Sequence, residues 1–139
     1  MLGTFDEIRV GTTLSLGVQK IDEAQITLFC GAYAPTWKPD DGAPDAMVYA
    51  LWSRMVQDGI ARWPHFIKNL GQDALRWFRN PPAGEILRGR ITILAKESVG
   101  DNKGIIIAQH DVLDEDGRLV FSMLTRDSFA KTGEQTSEA

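Results

Sequence analysis

The stretch "DAMVYALWSRMVQDGIARW", Asp45–Trp63, carries the clearest periodicity in the chain. Val48, Leu51, Trp52, Met55 and Val56 recur at helical spacing, while Ser53, Arg54, Gln57 and Asp58 fall on the other side. The spacing predicts a long amphipathic helix, opened by Asp45 as N-cap and stopped by Pro64. Its apolar stripe is broad and aromatic, wide enough to lie against a sheet rather than against one other helix.

Alternation of period two on either side of this helix supplies that sheet. Residues 12–20 read as a strand with Leu14, Leu16 and Val18 on one face. "ALRWFR" (74–79) is strand-like, and "NPPAG" (80–84) is a turn. From Glu85 to Glu97, Leu87, Ile91, Ile93 and Ala95 alternate with Arg88, Arg90, Thr92 and Lys96. "GDNKG" (100–104) and "DEDG" (114–117) are hairpin turns, leading into "IIIAQHDVL" and "RLVFSMLTRDSF". A shorter helix begins at "IDEAQITLF", where Asp22 is an N-cap, Gln25 completes a capping box and Ile21 staples onto Ile26. Helices early and about four successive strands late point to an α+β fold, with one antiparallel sheet and a long helix on one face. Residues 1–130 form a single domain, and the polar tail 131–139 is expected to be disordered.

Composition narrows the function classes. The chain has 139 residues, 43% of them apolar, and a formal net charge of −4, which argues against nucleic acid as a partner. No apolar run approaches the roughly 18 residues needed to cross a membrane, and the start "MLGTFDEIRV" has no secretory pattern. A cytoplasmic location is expected. Cys30 is the one cysteine and reads as a buried small side chain. His65 and His110 have no partner at metal-ligand spacing, so no metal site is expected and each reads as a surface or hydrogen-bonded histidine.

Two segments carry a family resemblance. "FDEIRVGTTLSLGVQKIDEAQITLFCGAYAP" resembles the start of MaoC-like acyl dehydratases, and "DALRWFRNPPAGEILRGRITI" (73–93) resembles the segment by which that family enters its long strand. The likeness runs from residue 5 to about 129. It implies the hotdog fold, a curved antiparallel sheet wrapped around a long central helix. It also implies a homodimer or a hetero-oligomer with another hotdog chain. The implied ligand is an acyl or enoyl thioester of coenzyme A or acyl carrier protein, with no further cofactor. The family's activity, as in (R)-specific enoyl-CoA hydratases, uses an Asp and a His after the first helix to activate water. In one register the equivalent positions here are Ala34 and Pro39, and in the other Ala32 and Trp37. None of these can act as a base near neutral pH. "PDAMVY", at the start of the long helix, also lacks the family's His-Gly.

The resemblance therefore carries over a fold and a pocket without its usual acid–base pair. Three functions follow: a hydratase-type lyase with a rearranged site, a catalytically silent acyl-thioester binder or non-catalytic subunit, and a thioesterase using a loop aspartate. Asp40 and Asp45 are the candidate catalytic groups, with Asp41 beside them. A helix cap for Asp45 and a solvated turn for Asp40 and Asp41 are the simpler roles. Tyr33, Pro35, Thr36, Trp37, Met47 and Tyr49 are the candidate substrate-binding residues, and the aromatic ones fit an acyl channel or the core equally well. Arg76 and Arg88 are candidates for coenzyme A phosphates, with Arg79 and Arg90 nearby in sequence; exposed strand arginines are the simpler alternative.

Overall fold

The computed structural model describes residues 2–132. The part of the tail from 133 onward lies outside the described residues. The elements are β1 (Thr13–Lys20), α1 (Glu23–Tyr33), a 3-10 turn (Pro39–Asp41), α2 (Asp45–Ile60), β2 (Phe66–Trp77), β3 (Ile86–Ser98), β4 (Lys103–Leu113) and β5 (Leu119–Ala130). The strands form one curved antiparallel sheet in the order β1-β3-β4-β5-β2, with α2 across its inner face. The α+β architecture expected from the two periodicities is the one observed.

Successive turns of α2 meet successive strands. Tyr49 meets Phe121 of β5 edge to face, Trp52 meets His110 of β4 likewise, Met55 lies over Gly89 of β3 and Gly17 of β1, and Gly59 faces the Leu16 carbonyl. The helix can sit this low because a Cβ on Gly89 would fall 2.8 Å from Leu16 Cβ and 2.9 Å from Met55 Sδ. Val48, Leu51, Trp52 and Met55 of the predicted stripe are buried, and Val56 is half-buried on its edge.

Several local readings change. Asp45 is the first residue of α2 rather than its cap. Pro44 holds the N-cap position, and the Asp45 carboxylate instead accepts from Asn80 Nδ2 at 2.9 Å, tying the helix start to the 80–84 turn. The helix ends at Ile60, and a turn precedes Pro64. Val18 is exposed, because Leu16 is an extra residue against Arg90 and Gly89, and the bulge inverts the alternation after it. Strand β2 begins at Phe66, well before residue 74. Three register shifts and a positive φ at Ala74 (53°) break its period-two pattern. At α1, Asp22 caps as expected, its carboxylate accepting from Ala24 N–H at 3.1 Å, and Ile21 and Ile26 are both buried.

The glycine contact predicts opposite signs for two substitutions. Gly89→Ala should destabilise the fold by about 1–3 kcal/mol through overpacking against Leu16 and Met55. Gly31→Ala, in α1 with nothing within 4 Å of the added Cβ, should stabilise by up to about 1 kcal/mol. Urea unfolding of the two variants beside the parent chain measures both.

Candidate functional site

A cavity of about 400 Å³ lies between the flank of α2 and strands β2, β4 and β5. The helix contributes Tyr49, Trp52, Ser53, Val56, Gln57 and Ile60, spaced as one stripe along about three turns. Trp63, Phe66 and Ile67 add apolar surface, and exposed Lys68 also borders the cavity. Strand β2 further supplies Asn69 and Gln72, and the sheet floor supplies His110, Thr125 and Asp127.

These floor residues are polar members of an otherwise apolar face. On β5 the inward set is Phe121, Met123, Thr125, Asp127 and Phe129, all buried; on β4 it includes Ile106, Ala108, His110 and Val112, also buried. Burying three polar side chains requires that they satisfy one another, and they do so in one directional chain. Trp52 Nε1–H donates to His110 Nδ1 at 3.0 Å. An indole N–H can only donate, so Nδ1 is the bare nitrogen and the ring proton sits on Nε2. His110 Nε2–H donates to Thr125 Oγ1 at 3.1 Å, and Thr125 donates to Asp127 Oδ2 at 3.2 Å. Asn69 Nδ2, across the strand pair, donates to Asp127 Oδ1 at 2.7 Å. Tyr49 donates to Gln72 Oε1 at 2.5 Å.

Electrostatics follow from burial. His110 has its pKa pushed down to about 4, chiefly by burial, with the neighbouring Asp111 carboxylate opposing. Burial raises the pKa of Asp127, and the hydrogen bonds from Asn69 and Thr125 resist that rise. Asp127 takes part in none of the ion pairs found among the described residues. Asp111, adjacent in sequence to His110, faces the opposite side of the sheet. There burial raises its pKa, but hydrogen bonds from Arg90, Gln109 and Ser122 leave it below the usual carboxylate range.

Of the candidate catalytic, substrate-binding and phosphate-binding residues named from the sequence, Tyr49 lines this cavity and the others lie elsewhere. Met47 is buried in the core on the other flank of α2, and Cys30 is buried as expected. Tyr33 is 77% exposed and packs on Phe29 of its own helix; Pro35 and Thr36 are exposed. Trp37 is half-buried against the core and donates from Nε1 to the Gly42 carbonyl at 2.9 Å, which closes the loop on itself. Asp40 and Asp41 are exposed in the 3-10 turn, and Asp45 is held by Asn80. Arg76 and Arg88 are exposed on β2 and β3, with β4 and β5 between them, and the strand register places Arg76 level with Arg90 and not with Arg88. Arg79 pairs with Glu85 and Asp114, and Arg90 with Asp111.

Reading along the sequence passes over Thr125, Asp127 and Asn69, and takes His110 as a hydrogen-bonded residue without a site. Inward phase is the available signal for His110, Thr125 and Asp127, each two residues from a buried apolar neighbour on its strand. Asn69 has none, because the bulges of β2 hide its phase.

The His110 geometry makes a pH prediction. A histidine in the unfolded chain titrates near 6.5, so between there and about 4 the folded chain binds fewer protons. The contribution of His110 is fully present above pH ~6.5 and is lost as pH falls toward 4, on the order of 3 kcal/mol. Asp127 runs the other way, since a raised carboxylate stabilises less as pH rises through its folded value. Imidazole ¹⁵N shifts should show His110 as the neutral Nε2–H tautomer down to about pH 5. Protonation above pH ~6, or the Nδ1–H tautomer, would contradict the Trp52–His110–Thr125 chain.

Comparison with known proteins fixes the architecture. No family model and no curated protein matches the sequence. Solved structures do. The MaoC-like dehydratase from Rhodospirillum rubrum superposes with a TM-score of 0.81 at 18% identity, over 93% of this chain and 97% of that one. The monoamine oxidase regulatory protein from Archaeoglobus fulgius gives 0.80 at 19% identity, over 93% and 95%. The (R)-hydratase PhaJ1 from Pseudomonas aeruginosa gives 0.61 at 18% identity, over 98% and 94%. At these identities the likeness is one of fold: the chain has the hotdog fold, and its structural neighbours are MaoC-like dehydratases and (R)-hydratases.

Proposed function

We propose that this chain binds an acyl thioester, with the acyl group lying in the cavity beside α2, and that it does not hydrate it by the loop chemistry of MaoC-like enzymes. The cavity carries this reading. Tyr49, Trp52, Val56, Ile60, Phe66 and Ile67 give it an apolar wall along one flank of a central helix. About 400 Å³ is within the usual range for a small-molecule site. Support for the thioester comes from neighbours of the same fold, among them the (R)-hydratase from A. caviae involved in PHA biosynthesis and the (3R)-hydroxyacyl-ACP dehydratase complex HadBC from Mycobacterium tuberculosis. No side chain caps the first turn of α2, whose Met47 and Val48 amides bond the Pro44 carbonyl, so the leading amides of Asp45 and Ala46 suit a thioester carbonyl.

The silent reading rests on the loop. Ala34 caps α1, Pro39 opens the 3-10 turn, and Trp37 is committed to Gly42, so neither register places a proton-transfer group there. Coenzyme A is taken as the carrier. A second hotdog chain fits along β2, an edge strand whose neighbourhood exposes Ile67, Leu70 and Phe78. Among the structural neighbours, HadBC is itself a complex. A pairing of this chain with itself or with a catalytic partner is part of the proposal.

A panel of saturated and enoyl-CoAs tests it by thermal shift, with hydration and thiol release read in parallel. The expected result is a rise in Tm without turnover. Val56→Trp, which fills the cavity from α2, should abolish the ligand-induced rise while leaving the helical and sheet signals of circular dichroism intact. Hydration of an enoyl-CoA by the isolated chain would refute the silent reading, and no Tm shift with any acyl-CoA would refute the ligand class.

A further inference from the structure

We infer that the acyl group held by this chain ends in a quaternary ammonium, which lies among the rings of Tyr49, Trp52, Trp63 and Phe66 and beside the Asp127 carboxylate. The inference rests on the acyl-thioester reading above and names the substrate class of the same cavity. Asp127 is a charge without a counter-charge. It is 8% exposed, and no Lys, Arg or His forms an ion pair with it among the described residues. Buried carboxylates ordinarily have a cationic partner, because taking the charge out of water is costly without one. The other buried aspartates follow that rule, Asp111 through Arg90 and Asp114 through Arg79. Asp127 holds only neutral donors, Asn69 and Thr125. Tying β2 to β5 through them needs an acceptor and no charge, so an amide oxygen would serve the fold as well.

The surroundings fit one kind of cation. Tyr49 and Trp52 come from α2, Trp63 from the turn after it and Phe66 from the start of β2, so rings reach the cavity from three segments. The Tyr49 hydroxyl and the Trp52 N–H are committed to Gln72 and His110, which leaves ring surface as what these two offer a ligand. An aromatic face attracts a cation, and that of Trp most of all. An ammonium that carries hydrogens is strongly hydrated and asks for three acceptors, in a space walled largely by apolar side chains. A trimethylammonium has no N–H. It presents methyl groups to the rings and its charge to the carboxylate. Lys68, at the cavity border, is exposed, so water and salt screen its repulsion. His110, the other basic side chain of the wall, is held neutral by burial.

Isothermal titration with the intact chain compares acyl-CoAs that end in trimethylammonium, the spacer lengthened stepwise, with isosteres that end in tert-butyl. The expected result is that at one spacer length the cation binds roughly ten- to a hundred-fold tighter than its isostere. In Asp127→Asn that preference should fall roughly ten-fold, with the isostere affinity kept or improved. The ¹³C shift of the Asp127 carboxyl in the parent chain gives a readout free of substitution. With the cation bound it should titrate at lower pH than with the isostere bound, since a nearby positive charge favours the carboxylate. Equal affinities in every matched pair would overturn the inference while leaving the thioester reading standing. An undiminished preference in Asp127→Asn, or an Asp127 titration unmoved by the cation, would overturn the role of Asp127. Absence of binding by every acyl-CoA, isosteres included, would remove the reading and this inference together. Should Asp127→Asn fail to fold, the matched pairs and the carboxyl titration on the parent chain still decide.

Discussion

The close seat of α2 on the sheet governs the rest of the molecule. Gly89 and Gly17 leave a shallow place for Met55, and Gly59 lets the helix backbone approach Leu16. With the helix held low over β1 and β3, its other flank rises from β5 and β2, and the space beneath that flank is the cavity. One contact, made where side chains are absent, thus sets the position of a site some turns away. Larger residues at the contact would lift the helix and change both the core and the cavity, since close-packed interiors transmit such changes.

The cavity floor shows how polar groups are tolerated in the middle of a sheet. A neutral histidine, a threonine and a carboxylate occupy inward positions where the strand pattern expects apolar residues. Each is satisfied by the next, and burial suppresses charge on His110 while leaving Asp127 with unspent acceptor capacity. A network of this kind costs desolvation and is held together by geometry. Its last member, Asp127, lies in the cavity wall.

Much of the fold is legible along the chain. Period 3.6 over 45–60 and period two over 86–98 name the helix and its sheet, and the Gly/Asp turns at 100–104 and 114–117 separate the last three strands. Strand β2 is half missed because its three irregularities and its polar residues obscure any alternation. The same cause hides Asn69. Bulges also explain the reversed face of Val18, since one extra residue flips every side chain after it. The aromatic loop at 33–44 has the composition of a binding lip, but Trp37 spends its N–H within the loop and Tyr33 stacks on its own helix.

By itself the sequence determined where the long helix and the last three strands lie, because these depend on local spacing and on side-chain chemistry. Only the tertiary structure decided where a ligand could lie. His110 and Thr125 are 15 positions apart and meet through strand pairing, while Trp52 reaches His110 across 58. Neither encounter has a local signature. The helix seat and the register of β4 on β5 bring those groups to one wall, and non-local packing of that kind is invisible to any window along the chain.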